Sequence, residues 1–122
     1  MKGSVLWSYE SELLNRDSIS DVAAHFSGAP PFHAHSGTIL LLDRTLQIDG
    51  DEFLEISFED IVQLYLGFDD IFPVTLAKNF GLFWQPLRLT LSNGRNIYLI
   101  IDYNFFGTKN KKWFKKLREV LS

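Results

Sequence analysis

His33-x-His35 is the pair of residues in this chain whose type and spacing come nearest to metal chemistry, and His25 is a third imidazole upstream. On an extended segment, residues i and i+2 point to the same side, so the two rings could face one ion. A zinc-like site needs three or four convergent ligands. No histidine follows position 35, so His25 or Asp43 would have to complete the set. Loop histidines exposed to solvent are the simpler reading, and no metal ligand or cofactor is assigned. Glu59-Asp60 and Asp69-Asp70 are adjacent carboxylates. Acid–base work needs two acids that converge on one pocket with separated pKa values. Neighbours along a chain diverge in space, so these pairs read as solvated turns. There is no Gly-rich phosphate loop, no G-x-S-x-G elbow and no cysteine nucleophile. A non-enzymatic protein is expected, with no catalytic residue.

Two other groups of side chains suit binding rather than catalysis. The stretch Thr108 to Ser122 holds six basic residues and one acid, Glu119, a net of +5. Lys112, Lys115 and Lys116 are its candidate contacts for a protein partner or an anionic lipid surface. Phe72, Phe80, Phe83 and Trp84 form an aromatic group within an irregular segment. Phe72, Phe83 and Trp84 are expected at a partner- or membrane-binding surface if exposed, and in the core otherwise. From Asp43 to Asp70 there are nine acids and one base, a net of −8. The charge is therefore polarised, which can orient the molecule against a charged partner. The net charge of −3 argues against specific nucleic-acid binding.

The elements that must carry these groups are mostly strands. Leu87, Leu89 and Leu91 alternate with Arg88, Thr90 and Ser92, and after Asn93-Gly94 Ile97, Leu99 and Ile101 alternate with Tyr98 and Ile100. A two-residue loop would put Leu89 opposite Tyr98 and leave Ile97 and Leu99 on the polar face. A three-residue loop, Ser92-Asn93-Gly94, pairs Leu91 with Arg95, Leu89 with Ile97 and Leu87 with Leu99. It is predicted because it gathers five apolar chains on one face, with Gly94 at positive φ. Thr38 to Leu42, Leu46 to Ile48 and Phe53 to Leu66 are further strand-like runs, with a turn or bulge at Glu59-Asp60. A helix over Phe58–Leu66 is the alternative there. Ser4 to Leu14 alternates like a strand through Val5, Trp7 and Tyr9, yet Leu6, Tyr9 and Leu13 also suit a short helix. Ile19 to Phe26 is an apolar cluster, and Ser27 to Gly37 is a Pro/Gly-punctuated loop. At the C-terminal end, Trp113, Leu117, Val120 and Leu121 share one face of a basic amphipathic helix, with Phe114 at its edge. That face is expected to dock on a sheet or barrel mouth.

Three of these pieces together resemble the pleckstrin-homology-like superfamily, in particular its GRAM-like and bacterial members. Gly37 to Ile48 is similar to a family hairpin. Glu55 to Leu64 is similar to the strand after it, with its kink. The Leu87–Ile101 hairpin followed by the Trp113 helix is similar to the family's closing elements. The resemblance covers roughly residues 37–67 and 87–121 and implies a non-enzymatic module for lipid headgroups, peptides or proteins. It also implies a helix that plugs one open end of a barrel. Phosphoinositide-binding members carry several Lys or Arg between their first two strands. If those strands are Ile19–Phe26 and Thr38–Leu42, the loop Ser27–Gly37 has none, which argues against that headgroup.

The expected architecture is a single domain over residues 1–122, with 1–36 poorly assigned. It is mostly β (α+β), a small antiparallel barrel or sandwich closed by one C-terminal α-helix. A parallel α/β sheet is disfavoured because strands and helices do not alternate. The absence of cysteine, of an apolar leader and of any run near the ~18 residues of a membrane span points to a soluble, cytoplasmic protein. The expected role is a binding or scaffolding module, with self-association open. The alternative is a small β-barrel that holds an apolar ligand, or a metal ion through His33 and His35, with an enzymatic version of that reading open.

Overall fold

The computed structural model describes residues 1–16, 30–76, 84–104 and 106–122. Seven strands form one antiparallel sheet that curls into a half-barrel. They are β1 (Lys2–Tyr9), β2 (His35–Leu41), β3 (Thr45–Gly50), β4 (Phe53–Ser57), β5 (Ile61–Leu66), β6 (Leu87–Leu91) and β7 (Asn96–Ile101). Among the described residues the helices are α1 (Glu10–Leu14) and α2 (Asn110–Leu121), and 3-10 turns occupy Phe58–Asp60 and Val74–Leu76. The order across the sheet is β4-β3-β2-β1-β7-β6-β5. The two ends of the order, β4 and β5, are joined in sequence by the Phe58–Asp60 turn.

The β6–β7 hairpin has the three-residue loop that its pattern predicts. Leu87 faces Leu99 and Leu89 faces Ile97. The Leu91 N–H donates to the Arg95 carbonyl at 2.9 Å. Gly94 has φ +85°, a conformation that L side chains resist. The Asn93 side chain accepts from the Arg95 N–H at 2.9 Å and pins the turn. A glycine pair also sets the β2–β3 corner. Gly37 lies opposite Gly50, and a Cβ on Gly50 would fall 2.0 Å from the Ser36 carbonyl oxygen. No side chain fits there unless the strands separate.

The ambiguous segment Ser4–Leu14 is both strand and helix. Alternation carries β1 to Tyr9, and Glu12 then reaches back to accept from the Tyr9 N–H at 2.9 Å, which fixes the start of α1. β1 pairs with β2 through Lys2↔Leu40 to Trp7↔His35. The first two strands of the sheet are therefore β1 and β2, and Gly37 lies within β2 rather than in a loop. The expectations for Ile19–Phe26 and His25 fall outside the described residues. Over Phe58–Leu66 the turn-then-strand reading holds and the helix does not form. β-branched Ile61 and Val62 favour the pleated conformation, and a bulge at that point shifts the β5–β6 register between Ile61 and Gln63.

The concave face buries Val5 and Trp7 of β1, Ile39, Leu46, Ile48 and Ile56 of β2–β4, and Leu87, Leu89, Ile97, Leu99 and Ile101 of β6–β7. Trp113 and Leu117 of α2 close over this cluster. The docked face is rotated from the one expected: Val120 is 37% exposed, while Asn110 is buried beside Trp113 and Leu117. Positions 110, 113, 114, 117 and 121 make the stripe, and Val120 lies beyond its margin. The convex face carries a second cluster. Tyr98 and Ile100 of β7 pack there with Leu13, Phe72, Leu76 and Trp84. Central strand β7 is therefore covered on both faces.

Candidate functional site

α2 lies beside β5, the last strand of the sheet order. Between them runs an open groove of about 710 Å³. Ile61, Val62, Gln63 and Leu64 form one wall, and Phe114, Lys115, Arg118 and Leu121 the other. Ile61, Leu64, Phe114 and Leu121 are half-buried against the concave core, so the floor is apolar. Val62 is 61% exposed at the bulge. One side of β5 pairs with β6. On its other side no strand pairs with it among the described residues, which leaves edge N–H and C=O groups there without a described neighbouring strand. Charged side chains line the rim: the cations Lys115 and Arg118 of α2, with the acid Glu119 beside them. The Arg118 guanidinium lies 5.5 Å from the Phe114 ring centroid, over its face.

Asn110 anchors α2 and hence this wall. Its side chain is buried. Its Oδ1 accepts from the Ile101 N–H at 2.8 Å, and its Nδ2 donates to the carbonyls of Leu99 at 3.0 Å and Gln85 at 2.7 Å. β6 begins at Leu87, opposite Leu99, so the amide continues the ladder where β6 has not yet started.

The sequence-derived site residues do not come together. Lys112, Lys115 and Lys116 are exposed on α2, and of these only Lys115 lines the groove. Phe72 and Trp84 are buried in the convex cluster, at 1% and 8% exposure. The surface patch considered for them does not form. Their rings pack edge to face at 6.2 Å, and Phe72 stacks on Tyr98 at 5.9 Å. Phe83 and Phe80 lie outside the described residues.

Asp69 holds this segment down. Its Oδ1 accepts from the N–H groups of Ile71 and Phe72, and its Oδ2 from Arg88 Nη1 at 2.9 Å and the Tyr98 hydroxyl at 2.8 Å. Burial alone would raise the Asp69 carboxyl, but the Phe72 N–H, Tyr98, Arg88 and the Ile71 N–H together hold it below its ordinary value. Burial, and then the Asp69 carboxylate, hold the Tyr98 phenol well above its usual range. Asp69 is therefore a structural clasp and not a solvated turn.

His33 and His35 also separate in role. The His33 Nδ1 lies 2.9 Å from the Pro31 carbonyl. The His35 ring stacks on Trp7 at 4.3 Å, its Nε2 lies 2.7 Å from Glu12 Oε2, and its Nδ1 lies 2.7 Å from Asp51 Oδ2. Only the imidazolium donates from both nitrogens. Burial opposes that charge, but the bonds to Asp51 and Glu12 outweigh it and raise the His35 pKa. The bond from His35 lowers the Asp51 carboxyl in turn. Among the described residues, no group of three or more His, Cys, Asp or Glu side chains is arranged to hold a metal ion.

These features define a class: a curled antiparallel half-barrel with a C-terminal helix and an open groove beside its edge strand. No protein-family model matches the chain, and no curated protein matches it. Among the described residues, no helix is long and apolar enough to cross a membrane.

Proposed function

We propose that this domain is a non-enzymatic binding module that takes an extended segment of a protein partner into the groove between β5 and α2. The observation that carries the reading is the coincidence, in one groove, of a strand edge with no paired strand among the described residues, an apolar floor and a rim on which Lys115 and Arg118 outnumber the one acid, Glu119. An added strand finds backbone partners along Gln63–Leu66, beyond the bulge at Val62. Alternate side chains of that strand meet Ile61, Leu64, Phe114 and Leu121. Lys115 and Arg118 favour carboxylates on the incoming segment. The strand order and the docked C-terminal helix support the kinship with the pleckstrin-homology-like superfamily expected from the sequence. A cytoplasmic setting belongs to the same proposal. The polar clusters support a binding role over catalysis, since His35 and Asp69 spend their hydrogen-bonding capacity on their own neighbours.

A displayed library of random peptides, panned on the purified protein, tests the reading. Enriched sequences should alternate apolar and acidic residues. Their amide-shift footprint should fall on β5 and α2, and Lys115→Glu with Arg118→Glu should weaken them about tenfold or more. A footprint on another face, or enrichment indifferent to the double reversal, removes the groove as the site.

A further inference from the structure

One imidazole ties together three parts of the chain that are distant in sequence. His35 is the first residue of β2 and stands opposite Trp7 at the last β1–β2 pair. Its side chain is 10% exposed. Nε2 lies 2.9 and 2.7 Å from the two carboxylate oxygens of Glu12 in α1. Nδ1 lies 2.7 Å from Asp51 Oδ2, in the turn between β3 and β4. The Trp7 ring stacks on the imidazole at 4.3 Å, a placement that favours a cation over the indole face. Tyr9 meets the imidazole edge-on at 6.0 Å. Other titratable groups of the surrounding elements are engaged elsewhere or exposed. His33 Nδ1 sits 2.9 Å from the Pro31 carbonyl, and Glu10 Oε2 accepts from Asn96. The Arg95 guanidinium lies 3.8 Å from the Tyr9 ring centroid, and Asp49 and Glu52 are exposed.

The two carboxylates are not held equally. Glu12 also accepts from the Tyr9 N–H, and its side chain is 31% exposed against 47% for Asp51. Asp51 Oδ1 accepts from the Ser36 N–H at 3.1 Å, and the Asp51 N–H donates to the Ser36 carbonyl at 3.3 Å. The β2–β3 ladder ends at Gly37 and Gly50, so these two bonds hold the turn to β2 beyond the last ladder pair. A neutral imidazole has one N–H. Keeping it on Nε2 preserves both contacts to Glu12, and the bare Nδ1 lone pair then confronts the Asp51 carboxylate. The more exposed acid leaves for water at the smaller cost. We propose that Asp51 is a proton-controlled latch: the imidazolium form of His35 holds the Gly50–Glu52 turn on β2, and loss of the Nδ1 proton to solvent expels the Asp51 carboxylate and frees the turn while α1 stays docked. Burial opposes the charge on His35, but the bonds to Asp51 and Glu12 outweigh it, so release falls above the ordinary imidazole value near 6.5. The turn is held below that step and freed above it. Phe53, 58% exposed, follows directly, so the step alters how an acidic and aromatic surface is presented and adds one negative charge to it. None of these residues lines the β5–α2 groove, so either reading can fail without the other.

NMR of the ¹⁵N-labelled protein from pH 6 to pH 8.5 tests the latch. The Ser36, Asp51 and Glu52 amides should shift with the midpoint of the His35 ring, and the neutral ring should be the Nε2–H tautomer. Protection of the Asp51 N–H against exchange, corrected for the intrinsic rate, should fall about tenfold, the scale of one lost bond to a charged group. The Tyr9 and Ile101 amides should keep their protection, which separates release of the turn from unfolding. Asp51→Asn keeps an acceptor for Ser36 and offers an N–H to the bare Nδ1, so it should hold the turn shut across the range. Turn amides that do not follow the ring overturn the proposal. So does a neutral ring protonated at Nδ1, which would make Glu12 the released acid, and so does an undiminished pH response in Asp51→Asn.

Discussion

Replacing Asn110 by alanine should loosen the groove wall more than any exposed change to α2. The side chain is 1% exposed and makes three bonds to main-chain groups. Removing it leaves the Ile101 N–H at the end of the β6 ladder with no replacement strand. An orphaned buried donor costs about 1–3 kcal/mol, and the two carbonyls that lose a donor add to it. A total near 3 kcal/mol is expected, which for a domain of this size is a fall in Tm of roughly 10 °C. Asn110→Asp sharpens the test. It keeps the acceptor for Ile101 but sets a carboxylate against the Leu99 and Gln85 carbonyls. Its loss should be at least as large near neutral pH and should shrink in acid, where the protonated carboxyl regains one donor. Urea unfolding of the three proteins across pH checks both statements. An Asn110→Ala loss below about 1 kcal/mol would refute the claim that this amide replaces a missing stretch of strand.

The His35 clasp gives a pH dependence. Its folded pKa is raised, so its contribution is fully present below the unfolded value near 6.5 and fades as pH rises through the higher folded value. The urea midpoint should therefore drop from pH 6 to pH 8.5 by more in the wild-type protein than in His35→Gln. Equal slopes would show that the two carboxylates do not favour the imidazolium. Gly94→Ala should cost about 1–2 kcal/mol from its positive φ alone, since a Cβ there meets nothing within 4 Å. An unchanged midpoint in thermal unfolding would mean that the loop has another geometry. Trp113→Ala should cost about 3–5 kcal/mol and bring dye binding to the opened concave face. A fully stable variant would show that α2 is not part of the core.

Much of the sheet was legible because its signal is local. The Leu87–Ile101 hairpin was legible by asking whether a two- or a three-residue loop puts Leu89 and Leu99 on one face, and of these the three-residue loop does so. The docking of α2 was legible from Trp113 and Leu117, but its rotation was not, because a buried Asn110 adds nothing to a hydrophobic pattern. The Asp69 clasp escaped for a similar reason. An Asp-Asp pair in a polar stretch has the composition of a solvated turn, and its partners Arg88 and Tyr98 lie 19 and 29 residues away. Phe72 and Trp84 were ambiguous because the sheet's convex face needs a cover, and alternation in β7 is hidden when both faces are buried. Glu12 and Asp51 were likewise unforeseen as partners of His35, although a glutamate three residues after Tyr9 was a visible capping signal. The β5 edge could not be read before the strand order was known.

β1 lies at the centre of the sheet, between strands that are far from each other in the chain. Val5 must meet Ile101 on one side and Gly37 on the other. Closing those pairings costs loop entropy before any apolar contact compensates, so refolding on the millisecond-to-second scale typical of non-local β topologies is expected. During synthesis, the earliest strand waits with one flank open until β7 has emerged. Release of the nascent chain before residue 96 would leave it a sticky, half-matched ribbon. Chaperone capture of chains stalled before that residue, and its loss for chains stalled well after residue 122 has cleared the tunnel, would be the signature.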